Sequence, residues 1–237
     1  MSRFEAPPTV YKYLHSDRID FFECPCLRFT PIEELNDPFE SLISMHKEGS
    51  ESPFFALLRL AQVDMNPVLH SMLNTFTRTG VLSLTTDSAN ILMWAHYADN
   101  HRGFVFEFDT NDEFFSGIDA VIYSEERLYF DGIKDSKKHK SSLLYRNIFH
   151  KSNHWSYENE WRLFKPWIHK LPQIKEGVIG LVECPINSLK SITLGMRTPD
   201  ILKEAAMAFC RENTHIKLYQ AKLHPAKFEI TFAKAPF

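Results

Sequence analysis

The chain has 237 residues, 44% of them hydrophobic and 24% charged, the ordinary make-up of a globular protein with one substantial core. Its formal charge of −3 gives no global attraction to nucleic acid or to an acidic membrane surface. No apolar run approaches the roughly 20 residues that a membrane-spanning helix needs.

The stretch Met1–Pro8 has no apolar signal region, so a cytoplasmic location is expected. Four cysteines, Cys24, Cys26, Cys184 and Cys210, are expected to be free, partly buried thiols. Cys24-Pro25-Cys26 lacks the C-x2-C spacing of a zinc site, and no metal is expected there.

In chain order, Thr9–Leu14 predicts a short strand, and Asp17–Phe22 a helical or irregular piece. Cys26–Thr30 predicts a strand ended by Pro31, with a helical turn to Leu35 capped by Thr30. Asn36-Asp37-Pro38 is a turn signal, with a helix starting near Pro38. Pro53–Phe76 carries a helical apolar period and Gly80 stops it. Val81–Thr85 predicts a strand. Ala89–Ala98 predicts a helix capped by Asp87 or Ser88. Gly103 opens a strand with Phe104, Phe106 and Phe108 on one face.

Val121–Tyr123 predicts another strand, and Asp135–Ser152 a basic, solvated helix. Trp155–Phe164 reads as a strand, since Tyr157, Asn159, Trp161 and Leu163 alternate with Glu158, Glu160 and Arg162. Val178–Glu183 and Ser191–Leu194 predict strands, Asp200–Glu212 a helix started by Thr198 or Asp200, and Ile216–Leu223 with Phe228–Ala233 a closing strand pair. Strands outnumber helices and strand–helix–strand units are few. A single α+β domain over residues 1–237 is expected, with a mixed, mainly antiparallel sheet flanked by helices.

Four constellations carry candidate chemistry. In Asn36-Asp37-Pro38-Phe39-Glu40, Asp37 or Glu40 is either part of a capped turn or a carboxylate set in a cleft. In the segment from Leu92 to Gly103, His96 and His101 are five apart, about 140° around a helix, which is a poor metal pair. His96 is there either a hydrogen-bonded core histidine or, with Tyr97, a ligand contact at a helix end. Ser83 and Thr85 share a strand face and can brace a neighbouring carboxylate. Glu158-x-Glu160 lines up two carboxylates beside Arg162, which either neutralises Glu160 in a charge ladder or completes a site among Trp155, Tyr157, Trp161 and Trp167. No Gly-rich phosphate loop, nucleophile elbow or HExxH motif is present.

Taken together, Val10-Tyr11-Lys12-Tyr13, Leu35-Asn36-Asp37-Pro38-Phe39-Glu40, Ser83-Leu84-Thr85, Met93-Trp94-Ala95-His96-Tyr97 with His101 and Gly103, and Glu158-x-Glu160-Trp161-Arg162 resemble the bacterial family catalogued as domain of unknown function 2971. The order of aromatic first strand, Ser-x-Thr strand and Glu-x-Glu strand is also similar to the layout of ADP-ribosyltransferases, a superfamily with a split sheet. That second resemblance implies NAD as cofactor and a setting in toxins or phage defence. It makes Glu160 the catalytic carboxylate, beside developing positive charge, and Glu158 the group that orients or deprotonates the acceptor. It places Tyr11, Tyr13, Ser83, Thr85, His96 and Tyr97 around the cofactor, and Asn36, Asp37, Glu40, His101 and Arg162 around the substrate.

This chain has Tyr11-Lys12-Tyr13 on the first strand where that superfamily has an Arg or His. The implied partners are a small nucleotide and a protein or nucleic-acid acceptor, with no membrane. Two other classes stay open: a non-enzymatic sensor or interaction module, and a nucleic-acid-acting enzyme with Asp37, Glu40, Glu158 and Glu160 as hard-metal ligands.

Overall fold

The computed structural model describes residues 4–40, 46–47, 50–51, 78–128 and 146–235. The strands are β1 (Thr9–Leu14), β2 (Cys26–Arg28), β3 (Thr30–Pro31), β4 (His46–Lys47), β5 (Ser50–Glu51), β6 (Gly80–Thr85), β7 (Phe104–Asp109) and β8 (Asp119–Ala120). They continue with β9 (Ile122–Ser124), β10 (His150–Ser152), β11 (Glu160–Lys165), β12 (Leu181–Glu183), β13 (Leu189–Leu194), β14 (Lys217–Leu223) and β15 (Ile230–Lys234). Among the described residues, the α-helices α1 (Ile91–His96) and α2 (Asp200–Glu212) frame the sheet. The main sheet runs β15-β14-β13-β7-β1-β6-β11-β8, with β3 against β6. Its pairs are antiparallel except β13 with β14, so the α+β class with a mixed, mainly antiparallel sheet holds.

The two faces of this sheet are different materials. On one, Phe104, Phe106 and Phe108 are fully buried and meet edge-on, as strand alternation requires. Phe21 from the 3₁₀ segment Ser16–Phe22 and Leu202, Ala206 and Phe209 from α2 close over them. Each such ring removed from water contributes about 1.5–3 kcal/mol. On the other face α1 packs Met93 and Trp94 onto Tyr13, Val105, Ala221 and Ile230.

One junction in the sheet is incomplete. β1 pairs with β7 along its whole length, but with β6 only through Tyr11 and Thr85. Thr85 also pairs with Glu160 on β11. A seam therefore opens between β1 and β6 on the α1 face, and Lys12 bridges it by donating to the Ser83 carbonyl at 2.9 Å.

Gly103 is needed where β7 begins. A Cβ there would meet the Leu14 carbonyl oxygen at 2.0 Å. The approach follows a turn in which Asp99, Asn100 and His101 all hold positive φ, a region Asn and Asp tolerate best. Gly103→Ala is expected to destabilise the fold by at least about 1–3 kcal/mol, since backbone rather than a flexible side chain must move. The check is a melting temperature several degrees lower; an unchanged melting temperature would refute this account of the turn.

The structure revises several expected elements. Trp155–Phe164 is not one strand: Asn153–Glu158 is a 3₁₀ segment, Asn159 is left-handed (φ 44°, ψ 49°), and β11 begins only at Glu160. Tyr157 and Asn159 thus do not continue the face of Trp161 and Leu163. Their alternating polarity mimics a strand, but Asn at a left-handed position ends the turn instead. Asp135–Ser152 is not helical to its end: residues 146–148 are helical, and His150–Ser152 pair with β9.

Elsewhere the revisions are of boundaries. α1 starts later than Ala89, capped by Asn90, whose side chain accepts from the Leu92 and Met93 amides. Cys26–Thr30 divides into β2 and β3, and the turn after Pro31 has no side-chain cap from Thr30. Val121–Tyr123 shifts to β9 (Ile122–Ser124), Val178–Glu183 shortens to β12, and the last strand begins at Ile230 with Phe228 exposed. Thr198 does not cap α2; its hydroxyl donates to Gly103 and Gly195 carbonyls. The helix expected over 53–76 lies outside the described residues, as does any helix after Glu40. The four cysteines are free, and Cys26, Cys184 and Cys210 are buried. Among the described residues no helix is long and apolar enough to cross a membrane.

Candidate functional site

Four separate pieces of chain converge on the α1 face beside the seam. β6 brings Ser83 and Thr85, β11 brings Glu160 and Arg162, the 3₁₀ segment ends in Glu158, and the Asn36–Glu40 turn closes the side. β11 alternates as expected: Trp161 and Leu163 pack toward the phenylalanine layer, and Glu160 and Arg162 point away from it. Glu158 joins them for a different reason than strand alternation. The left-handed Asn159 inserts a kink, and the Thr85 hydroxyl fixes it by donating to the Glu158 carbonyl at 2.6 Å. Asn90 ties the same turn to α1 by donating to the Tyr157 carbonyl at 2.9 Å.

The result is a continuous buried polar network. Lys151, from β10, donates to Glu158 Oε2 at 2.7 Å and Glu160 Oε2 at 3.3 Å, and lies 3.5 Å from Glu40 Oε1. Arg162 holds Glu160 with two parallel bonds of 2.7 Å, from Nε to Oε1 and Nη2 to Oε2. Its Nη2 also donates to Glu40 Oε1, and its Nη1 to the Ile148 carbonyl at 2.5 Å. On the other flank, the Tyr97 hydroxyl donates to Glu158 Oε1, and Asn36 Nδ2 donates to that hydroxyl at 2.5 Å. Tyr123 accepts the Glu160 amide at 2.9 Å. Three carboxylates thus face two fully buried cations, with Lys12 as a third cation at the seam.

The two glutamates are not equivalent. A carboxylate offers about four lone-pair sites. Arg162 and Lys151 occupy both oxygens of Glu160, and the neighbouring Ser83 side chain further favours its charged form. Glu158 has one donor on each oxygen, from Tyr97 and Lys151, and keeps capacity for another.

The titration of the site follows from this wiring. Burial works to raise the Glu160 carboxyl, but the Arg162 and Lys151 charges prevail and hold it at about 2. Burial dominates at Glu40 and raises it despite Arg162. Burial lowers Lys12 to about 8, against the pull of Glu160. Burial and the bond to Glu158 push the Tyr97 phenol up.

A half-open cleft of about 460 Å³, mouth included, runs along the seam. It is lined by Tyr11 and Tyr13, Ser83 and Thr85, Tyr97, Asn36, Glu40, Glu158, Glu160 and Arg162, together with Lys12 and Lys151. Most of the expected site residues are therefore in one place. Three are not. His96 is exposed, neither a core histidine nor part of the cleft wall, with its ring edge-on to Tyr97. His101 stacks on Trp94 with an interplanar angle of 4° and serves the packing of the turn. Asp37 is buried and lines a neighbouring cleft.

Lys12 and Lys151 were not among the expected site residues, and Lys151 was the better hidden. Its sequence context is a run of basic residues with no apolar period to set it apart, and only tertiary pairing buries it. The carboxylates converge on Lys151 and Arg162, so the place of a hard metal ion among them is taken by two protein cations, and among the described residues no His, Cys, Asp and Glu cluster has metal-binding form. This arrangement does not favour the hard-metal reading.

Residues 93–163 match the model of a family described as Protein of unknown function (DUF2971). The match runs from within α1 into β11, so it contains Tyr97, Lys151, Glu158, Glu160 and Arg162. Neither the curated proteins nor the solved structures give a match.

Proposed function

We propose that this chain, whose residues 93–163 match the DUF2971 model, binds NAD in the seam cleft and transfers ADP-ribose from it. The observation that carries the reading is the adjacency of β1, β6 and β11. The aromatic strand, the Ser-x-Thr strand and the glutamate strand are consecutive neighbours in the sheet, and all three motifs face one cleft. The hydroxyls support the reading: Thr85 fixes the Glu158 turn through its carbonyl, and Ser83, opposite Arg162 across the β6–β11 pair, lines the same cleft.

In the proposed reaction the bond between nicotinamide nitrogen and ribose C1′ breaks, and its electron pair leaves with nicotinamide. A bond forms from an acceptor heteroatom to C1′, and the acceptor's proton passes to a base. Positive charge develops on the ribose, which a carboxylate facing it stabilises. Glu158 is the carboxylate with free acceptor capacity, so it takes this place, and Glu160 becomes the positioning partner that holds Lys151 and Arg162. Tyr97 offers an aromatic wall and fixes Glu158.

A second reading has its own observation. Arg162 engages both Glu160 oxygens, as a purely structural ion network would. Nicotinamide release by the full chain, measured chromatographically, together with NAD binding by calorimetry, separates the two. Catalysis by Glu158 predicts that Glu158→Gln retains NAD binding and loses about hundredfold or more in release rate. Wild-type protein that neither binds NAD nor releases nicotinamide would leave the structural reading standing.

A further inference from the structure

Lys12 is the charged residue of the seam that the proposed transfer leaves unused. It follows the single Tyr11–Thr85 pair that joins β1 to β6, and its side chain crosses the gap there to the Ser83 carbonyl, at 2.9 Å. Lys12 and Ser83 both line the cleft, and both are half-buried rather than sealed. The two lysines of the cleft are held differently. Lys151 touches three carboxylates, Glu158 at 2.7 Å, Glu160 at 3.3 Å and Glu40 at 3.5 Å. Among the described residues Lys12 has one neutral acceptor and no ion-pair partner. An ammonium group has three N–H donors to place, so this setting leaves it under-served; a neutral amine asks less of it and keeps a lone pair. The balance of forces agrees. Burial disfavours the charge most strongly, Glu160 and Glu158 oppose that, Arg18 of the Ser16–Phe22 segment adds to it, and the pKa falls to about 8.

We infer that Lys12 is a second reactive group of the cleft, an amine that captures a hydroxylated aldehyde as an imine. In that step the nitrogen lone pair forms a bond to the carbonyl carbon, the nitrogen gives up a proton, and the oxygen takes one up to give a carbinolamine. The carbon–oxygen bond then breaks and water leaves, so amine and aldehyde become imine and water with no change of oxidation state. An aldehyde suits the place better than a ketone. Strands β1 and β6 flank the nitrogen, so the carbonyl carbon approaches from the cleft, and hydrogen is the smallest second substituent it could carry. Glu158 keeps acceptor capacity for a hydroxyl of the ligand, and Tyr11 and Tyr97 supply ring surface for its carbon chain. A carboxylate on the ligand is disfavoured, because three carboxylates already face two cations and the reactive Lys12 is uncharged. The capture needs no NAD and does not rest on the transfer reading.

The test is reductive trapping. The full chain is incubated with glyceraldehyde and cyanoborohydride, without NAD, and the hydride fixes any imine as a stable secondary amine. Peptide mapping by mass spectrometry then follows the label at each lysine. At pH 7.5 Lys12 is expected to be labelled about tenfold or more faster than exposed lysines such as Lys217 and Lys222. Its rate should level off above about pH 8 rather than near the ordinary lysine value, and the advantage should vanish in urea-unfolded protein. Lys12→Arg keeps a cation for the Ser83 carbonyl and should remove the fast labelling from the first strand while leaving every other peptide unchanged; if that variant fails to fold, the wild-type map decides alone. Relative to the same exposed lysines, propanal and glyoxylate should each label Lys12 less than glyceraldehyde does. Labelling of Lys12 no faster than at the exposed lysines, or with equal preference for all three aldehydes, would overturn the inference. Because NAD is absent throughout, that outcome is separate from any failure of NAD cleavage.

Discussion

Arg162→Leu is expected to cost about 3–5 kcal/mol of folding stability, the range for removing one partner of a buried ion pair. The side chain is 1% exposed and holds Glu160 on two oxygens, Glu40 on one, and the Ile148 carbonyl. Removing it leaves Glu160 with Lys151 at 3.3 Å, and Glu40 with Lys151 at 3.5 Å. At roughly 2–4 °C per kcal/mol for a chain of this size, the melting temperature should fall by about 10 °C. Adding Glu160→Leu should return part of the loss, because the uncompensated charge goes with it. A double variant no more stable than Arg162→Leu would show that Glu160 is satisfied without the guanidinium, and the picture of a single connected network would fail.

The second large effect is acid instability with a definite origin. Glu160 titrates at about 2 in the fold, below its ordinary value, because Arg162 and Lys151 outweigh its burial. A depressed carboxylate contributes stability that is fully present above its unfolded pKa. That contribution is lost as pH falls from the ordinary carboxylate range toward about 2. Glu40 has the opposite sign: its raised pKa means the folded state holds its proton longer, so its part of the stability diminishes as pH rises through that range. Lys12, lowered to about 8, again favours the fold as pH rises from there toward the ordinary lysine value. Melting temperatures at pH 7, 4.5 and 3 should therefore drop steeply over the last interval in the wild type and less in Glu160→Gln. Parallel slopes would mean that other carboxylates carry the acid transition.

Much of the architecture was legible because it rests on local period. Thr9–Leu14 and Asp200–Glu212 fall at the expected limits, and Phe104, Phe106 and Phe108 lie on one buried face as their spacing requires. The site was legible as a set of residues but not as a mechanism of assembly. Glu158 and Glu160 do share a cleft, yet a left-handed asparagine brings them together rather than one extended strand. No local rule separates a strand of alternating polarity from a 3₁₀ turn followed by a kink. Lys151 was hidden for a related reason: its burial depends on β10 lying beside β9, a pairing set by distant chain. His96 misled because a histidine among aromatics has the same neighbours in sequence whether the helix turns it inward or out.

The single-pair junction between β1 and β6 has a geometric consequence for traffic through the cleft. Behind it the apolar layer is continuous, since Val10 and Leu14 of β1 and Leu82 and Leu84 of β6 belong to one cluster. In front of it the strands are joined only by Tyr11 with Thr85 and by the Lys12 ammonium on the Ser83 carbonyl. The seam is thus bound like the spine of a book, with its leaves parting on the α1 face alone. Among the described residues the cleft thus opens on the α1 face, with Tyr97 and the glutamates in its lining.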